Sequence, residues 1–147
     1  MWVHLINRGG AFQTMDGTVG YIWSRCPGTY VLVLVLAAPC TPVVGRLGTI
    51  LLRAGGYAYV GSALGSGGLR ARLGRHVRRE KRLRWHIDYL LAQVQLRAVW
   101  HLESLERWEC AWAGVLATLP GVEAAAPGFG ASDCTCSTHL FYARDPA

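Results

Sequence analysis

The apolar residues of the chain fall into short, distinct patterns, and each pattern predicts an element. Residues 28–38, "GTYVLVLVLAA", form an almost unbroken apolar run that stops at Pro39. So short a run of Val and Leu predicts a central strand buried on both faces. "TPVVGRLGTILLRAGG" follows with a Pro, paired apolar residues and several Gly, which predicts a second short strand and a turn. "YAYVGSA" (57–63) alternates aromatic and small residues and reads as a third strand. Strand alternation puts Tyr57 and Tyr59 on one face. After "LGSGG", a turn, the period changes. Leu69, Leu73 and Val77 step by four along one helical face, with Arg72 and His76 stepping by four on a neighbouring face. Ile87, Leu90, Leu91 and Val94 predict a second helix over 84–94. Leu105, Trp112, Val115, Leu116 and Leu119 predict a third over 103–119, stopped by Pro120 and Gly121. Residues 120–131 read as loop and 139–144 as a last short strand. The order β, β, β, α, α, α, β predicts an α/β sandwich of the α+β class, with helices flanking a small mixed or antiparallel sheet. Residues 1–27 carry no clear period. They read as an N-terminal extension before a domain over 28–147, and Met15 offers an alternative start.

Length and composition sharpen this picture. A chain of 147 residues is expected to form one domain with a normal core. At 52% hydrophobic and 16% charged residues, it is not a disordered chain. No apolar run is long enough to span a bilayer, so no membrane partner is expected. The N-terminus lacks signal-peptide features, and a cytoplasmic location is expected. The five cysteines are an odd number, which argues against a disulfide framework and leaves metal binding or burial.

The net charge of +6 is concentrated. Arg70, Arg72, Arg75, Arg78, Arg79, Lys81, Arg82 and Arg84 are eight of the fifteen Lys and Arg, and only Glu80 interrupts them. Solvated helix faces usually mix both signs. Arginine is the residue that grips phosphate through paired hydrogen bonds. The expected partner is therefore nucleic acid, DNA in preference to RNA, with Arg70, Arg75, Arg78, Arg79, Lys81, Arg82 and Arg84 as candidate contacts. A protein partner is compatible with the same surface. The glycines before this segment do not make a phosphate cradle. Leu69 follows Gly65, Gly67 and Gly68, where a P-loop needs Lys and then Ser or Thr.

A longer pattern joins these pieces. "Gly28-Thr29-Tyr30" leads one strand, "Tyr59-Val60-Gly61" closes another, Arg72 and His76 lie on the next helix, and Glu109 stands in "RWECAW" further on. This arrangement resembles the GIY-YIG nuclease superfamily. The whole chain from about Gly28 looks closer to one bacterial and archaeal GIY-YIG-like branch of unknown function. Its signatures read here as "YVGSA" (59–63), "RHVRREKRLRWHIDYLL" (75–91), "EC" (109–110) and "GFGASDCTCSTHLFY" (128–142). The resemblance implies a catalytic set of Tyr30, Tyr59, Arg72, His76 and Glu109. One of the tyrosines would activate the attacking water, Arg72 would steady the scissile phosphate, and Glu109 would hold a single Mg²⁺ or Mn²⁺. A guanidinium and a hard cation suit charge developing on phosphate oxygens. A tyrosine base would need its pKa drawn down from about 10, and neighbouring cations are expected to do so. The chain departs from the superfamily in three places. Thr29 replaces Ile, an extra helix carries "WHIDYLL", and "SDCTCSTH" stands where a terminal asparagine is often found.

Two clusters stay open at this level. His86 and Asp88 point about 200° apart on a helix, so they do not chelate one metal together. Either residue lines the cleft, or His86 satisfies a buried partner while Asp88 caps a helix or pairs with an arginine. Cys134, Cys136 and His139 together with the distant Cys110 could form a Cys₃His zinc site, although C-x-C is tighter than the usual knuckle. The alternative is free buried cysteines, with His139 or Asp133 reaching the cleft from the last strand. The expected function is a divalent-metal-dependent endonuclease acting on DNA, in repair or in processing structured DNA. The alternatives are an inactive nucleic-acid-binding module and a zinc-stabilised interaction domain.

Overall fold

A computed structural model describes residues 23–78 and 80–144 in full and residues 2–6 and 12–13 as backbone. Its strands in chain order are β1 (Trp2–Ile6), β2 (Phe12–Gln13), β3 (Gly28–Leu36), β4 (Val43–Val44), β5 (Gly48–Thr49), β6 (Gly55–Ala63), β7 (Gln95–Glu103), β8 (Val122–Ala124) and β9 (Leu140–Ala143). Its helices are α1 (Gly68–Val77), α2 (His86–Leu91) and α3 (Glu109–Thr118). The main sheet runs β2-β1-β7-β3-β6-β9-β8 with every neighbouring pair antiparallel, and β4 and β5 form a separate hairpin. The α+β sandwich expected from the hydrophobic pattern is thus the observed architecture, and the sheet is antiparallel rather than mixed.

The period-two pattern explains how the sheet is covered. Tyr30, Leu32 and Leu34 of β3 lie opposite Gly61, Tyr59 and Tyr57 of β6, so all six positions share one face. That face is buried under Leu69 and Leu73 of α1, Ile87 and Leu90 of α2, and Phe129 from the loop before β9. The other face carries Val60 and Phe141, which pack against Ala113 of α3. One face of β3 is fully buried at Tyr30, Leu32, Leu34 and Leu36, whereas Val31, Val33 and Val35 on the other are half-buried, so the strand expected to be buried on both faces is fully buried on one.

Several expectations are corrected. The sheet contains β7, which lies beside β3 and fills the stretch left unassigned between the expected helices over 84–94 and 103–119, meeting the latter only at Glu103. The register shifts between Val33 and Leu34 opposite it, and the consecutive residues Ala98 and Val99 are both buried. That irregularity erases the alternation a strand would show. α2 ends at Leu91, and α3 begins at Glu109 rather than 103. Leu105, expected on the apolar face of the third helix, lies outside it and is 87% exposed, and Val115 and Leu119 are exposed as well. The expected loop over 120–131 contains β8. Of the expected N-terminal extension, β1 and β2 continue the sheet beyond β7.

Two glycines are required by close approach. Gly68 has φ +57°, and a Cβ there would collide with the backbone oxygens of Arg25 and Cys26. The approach lets the amides of Leu69 and Arg70 donate to Cys26 O at 2.9 Å and Ser24 O at 2.8 Å. The first-turn donors that would bind a phosphate at this helix start are therefore occupied. Gly61 sits directly across from Tyr30, and a Cβ there would run into the Tyr30 hydroxyl end. Gly61→Ala is expected to destabilise the protein by about 1–3 kcal/mol through overpacking. Denaturant unfolding measures this, and a variant as stable as the parent would show that the ring has room to move.

Candidate functional site

The register gathers the site at one end of the sheet. Tyr30 near the start of β3 is flanked by Gly61 near the end of β6 and His101 near the end of β7. Tyr59 pairs with Leu140 at the start of β9. The loop leaving β7 leads into Glu109, and the loop entering β9 carries Gly130 to His139, so both approach the same end. A cleft of about 360 Å³ opens there. It is lined by Tyr30, Tyr59, Arg72, His86, Glu109 and Asp133, together with Arg84, Trp85 and Arg107.

Four of the five expected catalytic residues therefore meet in one cleft. His76 does not line it. It lies behind Tyr30, is 3% exposed, and its Nε2 is 2.6 Å from the Tyr30 hydroxyl. Burial, helped by the charges of Lys81 and Arg72, lowers its pKa to about 3. The imidazole is neutral, so it can serve as the acceptor for the Tyr30 hydroxyl. The expectation that cations favour the phenolate is not met in this state. Burial raises Tyr30 and Tyr59 well above the ordinary phenol value and outweighs the lowering by Arg72. Both tyrosines are hydroxyls in this site.

Arg72 is held by an aromatic platform. Its guanidinium carbon lies 4.0 Å from the centroid of the Trp85 ring, and that of Arg75 lies 4.6 Å from it. Such stacking orients a guanidinium without consuming its hydrogen-bond donors. Glu109 is the first residue of α3, a favourable place for a carboxylate in the helix field, and it is 6% exposed. It makes no ion pair with a described residue.

The basic segment divides. Arg70, Arg78, Arg82 and Arg84 are exposed. Arg75 and Lys81 turn inward instead. Arg75 bonds Asp88 Oδ2 at 2.7 Å and the carbonyl of Arg82 at 2.8 Å. Lys81 donates to the carbonyls of Arg75 and His76 at 3.1 and 3.0 Å. Arg79 lies outside the described residues. Asp88, 1% exposed, accepts from the amides of Arg84 and Trp85 at 2.9 Å each. It thus both caps α2 and pairs with an arginine. His86 faces the cleft while its Nδ1 accepts from the amide of Gly130 at 2.9 Å.

His139, a candidate either for the cleft or for a zinc site with the cysteines, lies among the cysteines. It is fully buried, and its Nε2 lies 3.4 Å from Cys134 Sγ. The ligand atoms of Cys110, Cys134, Cys136 and His139 all lie within 4.8 Å of one another, a group that could hold a metal ion such as zinc. Hydrogen bonding to Cys110, added to burial, pushes the Cys136 thiol up to about 12.

Trp85 and Arg107 are site residues that sequence reasoning missed. Trp85 stands inside "RWHIDYLL" and Arg107 two residues before Glu109, but neither position has a period or spacing that marks it. No helix of the described residues is long and apolar enough to cross a membrane. No curated protein and no solved structure gives a significant match to the chain. The family described as Domain of unknown function DUF123 matches residues 29–147, which spans the cleft and every residue placed in it above. The chain belongs to that family.

Proposed function

We propose that the protein is a divalent-metal-dependent endonuclease that hydrolyses phosphodiester bonds in DNA, in repair or in the processing of structured DNA. The observation that carries this reading is the convergence of Tyr30, Tyr59, Arg72 and Glu109, from four different elements, on one cleft lined by further arginines. The GIY-YIG resemblance supports it from the sequence side. A purely structural cleft has no need of a buried carboxylate that has no ion-pair partner among the described residues beside two hydroxyls and a guanidinium stacked on Trp85.

The side chains divide the work. The exposed Arg70, Arg78 and Arg82 hold the anionic backbone at the surface, and Arg84 carries that field to the cleft. Arg72, fixed against Trp85, presents its donors to the non-bridging oxygens of the scissile phosphate. Tyr30 accepts a hydrogen bond from the attacking water, and His76 behind it fixes the direction of the Tyr30 hydroxyl proton. The donor chemistry at Glu109 fits Mg²⁺ or Mn²⁺, because a buried carboxylate with no ion-pair partner among the described residues is a hard oxygen ligand. Glu109 would hold the ion, and Asp133 also lines the cleft. Such an ion neutralises charge at the phosphate and lowers the pKa of bound water.

Incubating the protein with labelled single-stranded, duplex, flap, abasic and branched DNAs and Mg²⁺ or Mn²⁺ tests the reading. Arg72→Ala is expected to lower cleavage by about 10²–10³-fold, the usual effect of removing one preorganised donor. Arg72→Lys should not restore it, since an ammonium lacks the fork and the stacking plane. Tight binding of these DNAs without cleavage, with either ion, would replace the enzyme with a binding module.

A further inference from the structure

The cysteines and His139 lie outside the chemistry above, yet their positions are tied to it. Cys110 directly follows Glu109 in α3, and Cys134 directly follows Asp133 in the loop before β9. Both acids line the cleft. We propose that Cys110, Cys134, Cys136 and His139 form a structural Cys₃His zinc site that pins the Asp133 loop to the start of α3 and so sets the two cleft acids opposite each other.

The geometry supports a single ion. Zinc–sulfur and zinc–nitrogen bonds of about 2.3 and 2.0–2.1 Å at tetrahedral angles put a sulfur and a nitrogen about 3.5 Å apart and two sulfurs about 3.8 Å apart. Cys134 Sγ and His139 Nε2 are 3.4 Å apart, and all four ligand atoms fall within 4.8 Å. Four protein ligands close the coordination sphere, which marks a structural rather than a catalytic zinc. Soft thiolates with one imidazole select zinc over Mg²⁺ or Mn²⁺. The set is therefore chemically distinct from the oxygen donor at Glu109.

The ligands also sit where the fold needs a pin. The loop is short of regular structure, and its shortest hydrogen bonds lie at its base, with Cys134 N reaching Ala131 O only at 3.5 Å. Gly128 N bonds Ser137 O at 2.6 Å, His139 N bonds Phe129 O at 2.8 Å, and Gly130 N bonds His86. Residues 132–136 lie beyond these anchors. α3 packs on the opposite face of the sheet from α1 and α2, so it reaches the cleft only through its first turn. A zinc ion joining Cys110 to Cys134 and Cys136 ties these two walls directly. Zinc binding itself stands apart from the nuclease reading, whereas its consequence for the acids gains functional meaning only if that reading holds.

Elemental analysis of the protein purified with reductant and without chelator is the first test. It should contain about one zinc per chain. Cys136→Ser should lower the content at least tenfold, while Cys40→Ser, which is outside the cluster, should keep it. Cobalt exchanged into the wild-type chain should give the thiolate-to-metal and tetrahedral d–d absorption bands, a readout that survives if Cys136→Ser does not fold. Removing zinc should lower the melting midpoint by on the order of 10 °C. It should also speed amide exchange in residues 130–139 and 107–112 together. A folded wild-type chain that binds neither zinc nor cobalt would overturn the site, as would iron in its place or a disulfide among the three thiols. Bound zinc whose removal leaves exchange in both segments unchanged would overturn the pin. Failure of the zinc-loaded protein to cut any DNA would sink the nuclease reading and leave the zinc site standing.

Discussion

Glu109→Gln is expected to reduce metal-dependent DNA cleavage by about 10³-fold or more, the scale of several kcal/mol of lost charge stabilisation. DNA affinity should change little, because the proposed phosphate contacts, Arg70, Arg78, Arg82 and Arg84, lie outside α3. The thermal midpoint should hold steady. Glu109 is buried without an ion pair among the described residues, so the amide breaks no such pair and keeps nearly the same volume. This combination separates a ligand from a structural acid. A structural glutamate would lose stability on substitution, whereas a metal ligand loses activity and keeps its fold. Single-turnover cleavage, binding by anisotropy and a melting curve on one preparation check all three. Cleavage at the wild-type rate would remove Glu109 from the site.

Asp88→Ala is expected to destabilise the protein by about 3 kcal/mol or more, the usual cost of breaking a buried, hydrogen-bonded ion pair from one side. The carboxylate accepts from two amides and from Arg75, and Lys81 Nζ stands 4.0 Å from its other oxygen. Its removal uncaps α2 and leaves Arg75 partly buried without its anion. The loss should lower the melting midpoint by about 10 °C. The pH dependence has a definite sign. Burial alone would raise the Asp88 pKa, but the amides of Trp85 and Arg84 and the Arg75 guanidinium outweigh it and hold it below the ordinary value. The unfolded chain therefore takes up this proton first as the solution is acidified. The stabilisation is complete above about pH 4 and drains away as the pH falls toward the depressed folded value. The wild type should lose stability on acidification through this range more steeply than Asp88→Ala. Equal slopes would mean that the Asp88 interactions contribute nothing to the acid limb. Cleavage should fall as well, because Asp88 holds the backbone of Trp85, whose ring is the platform under Arg72.

Asp88 and His86 also show how far local spacing reaches. Their opposite directions on a helix excluded joint chelation, and the structure puts one in a cap and the other on the cleft wall. Spacing could not say which, because that depends on Arg75, thirteen positions away, and on Gly130 in a distant loop. Lys81 and Arg75 read as surface cations because charge density along the chain carries no information about direction. Their inward turn follows from the buried Asp88 carboxylate.

By itself, the sequence determined the long strands around Tyr30 and Tyr59, the apolar face of α1, the class of the fold and the residue types of the cleft. These follow from period and from motif, which are local properties that a chain carries before it folds. Only the tertiary structure decided that β7 lies beside β3, that His76 stands behind Tyr30 rather than in the cleft, and that His139 lies among the cysteines rather than in the cleft. Each of these depends on contacts between residues far apart in the chain. Cys110 and Cys134 are separated by β8 and the loops around it, and they meet because α3 packs where the loop entering β9 turns back. The tyrosine pKa values belong to the same class. Cations nearby in the chain predicted a lowering, but desolvation is set by everything packed around the ring, and at Tyr30 and Tyr59 it is the larger effect.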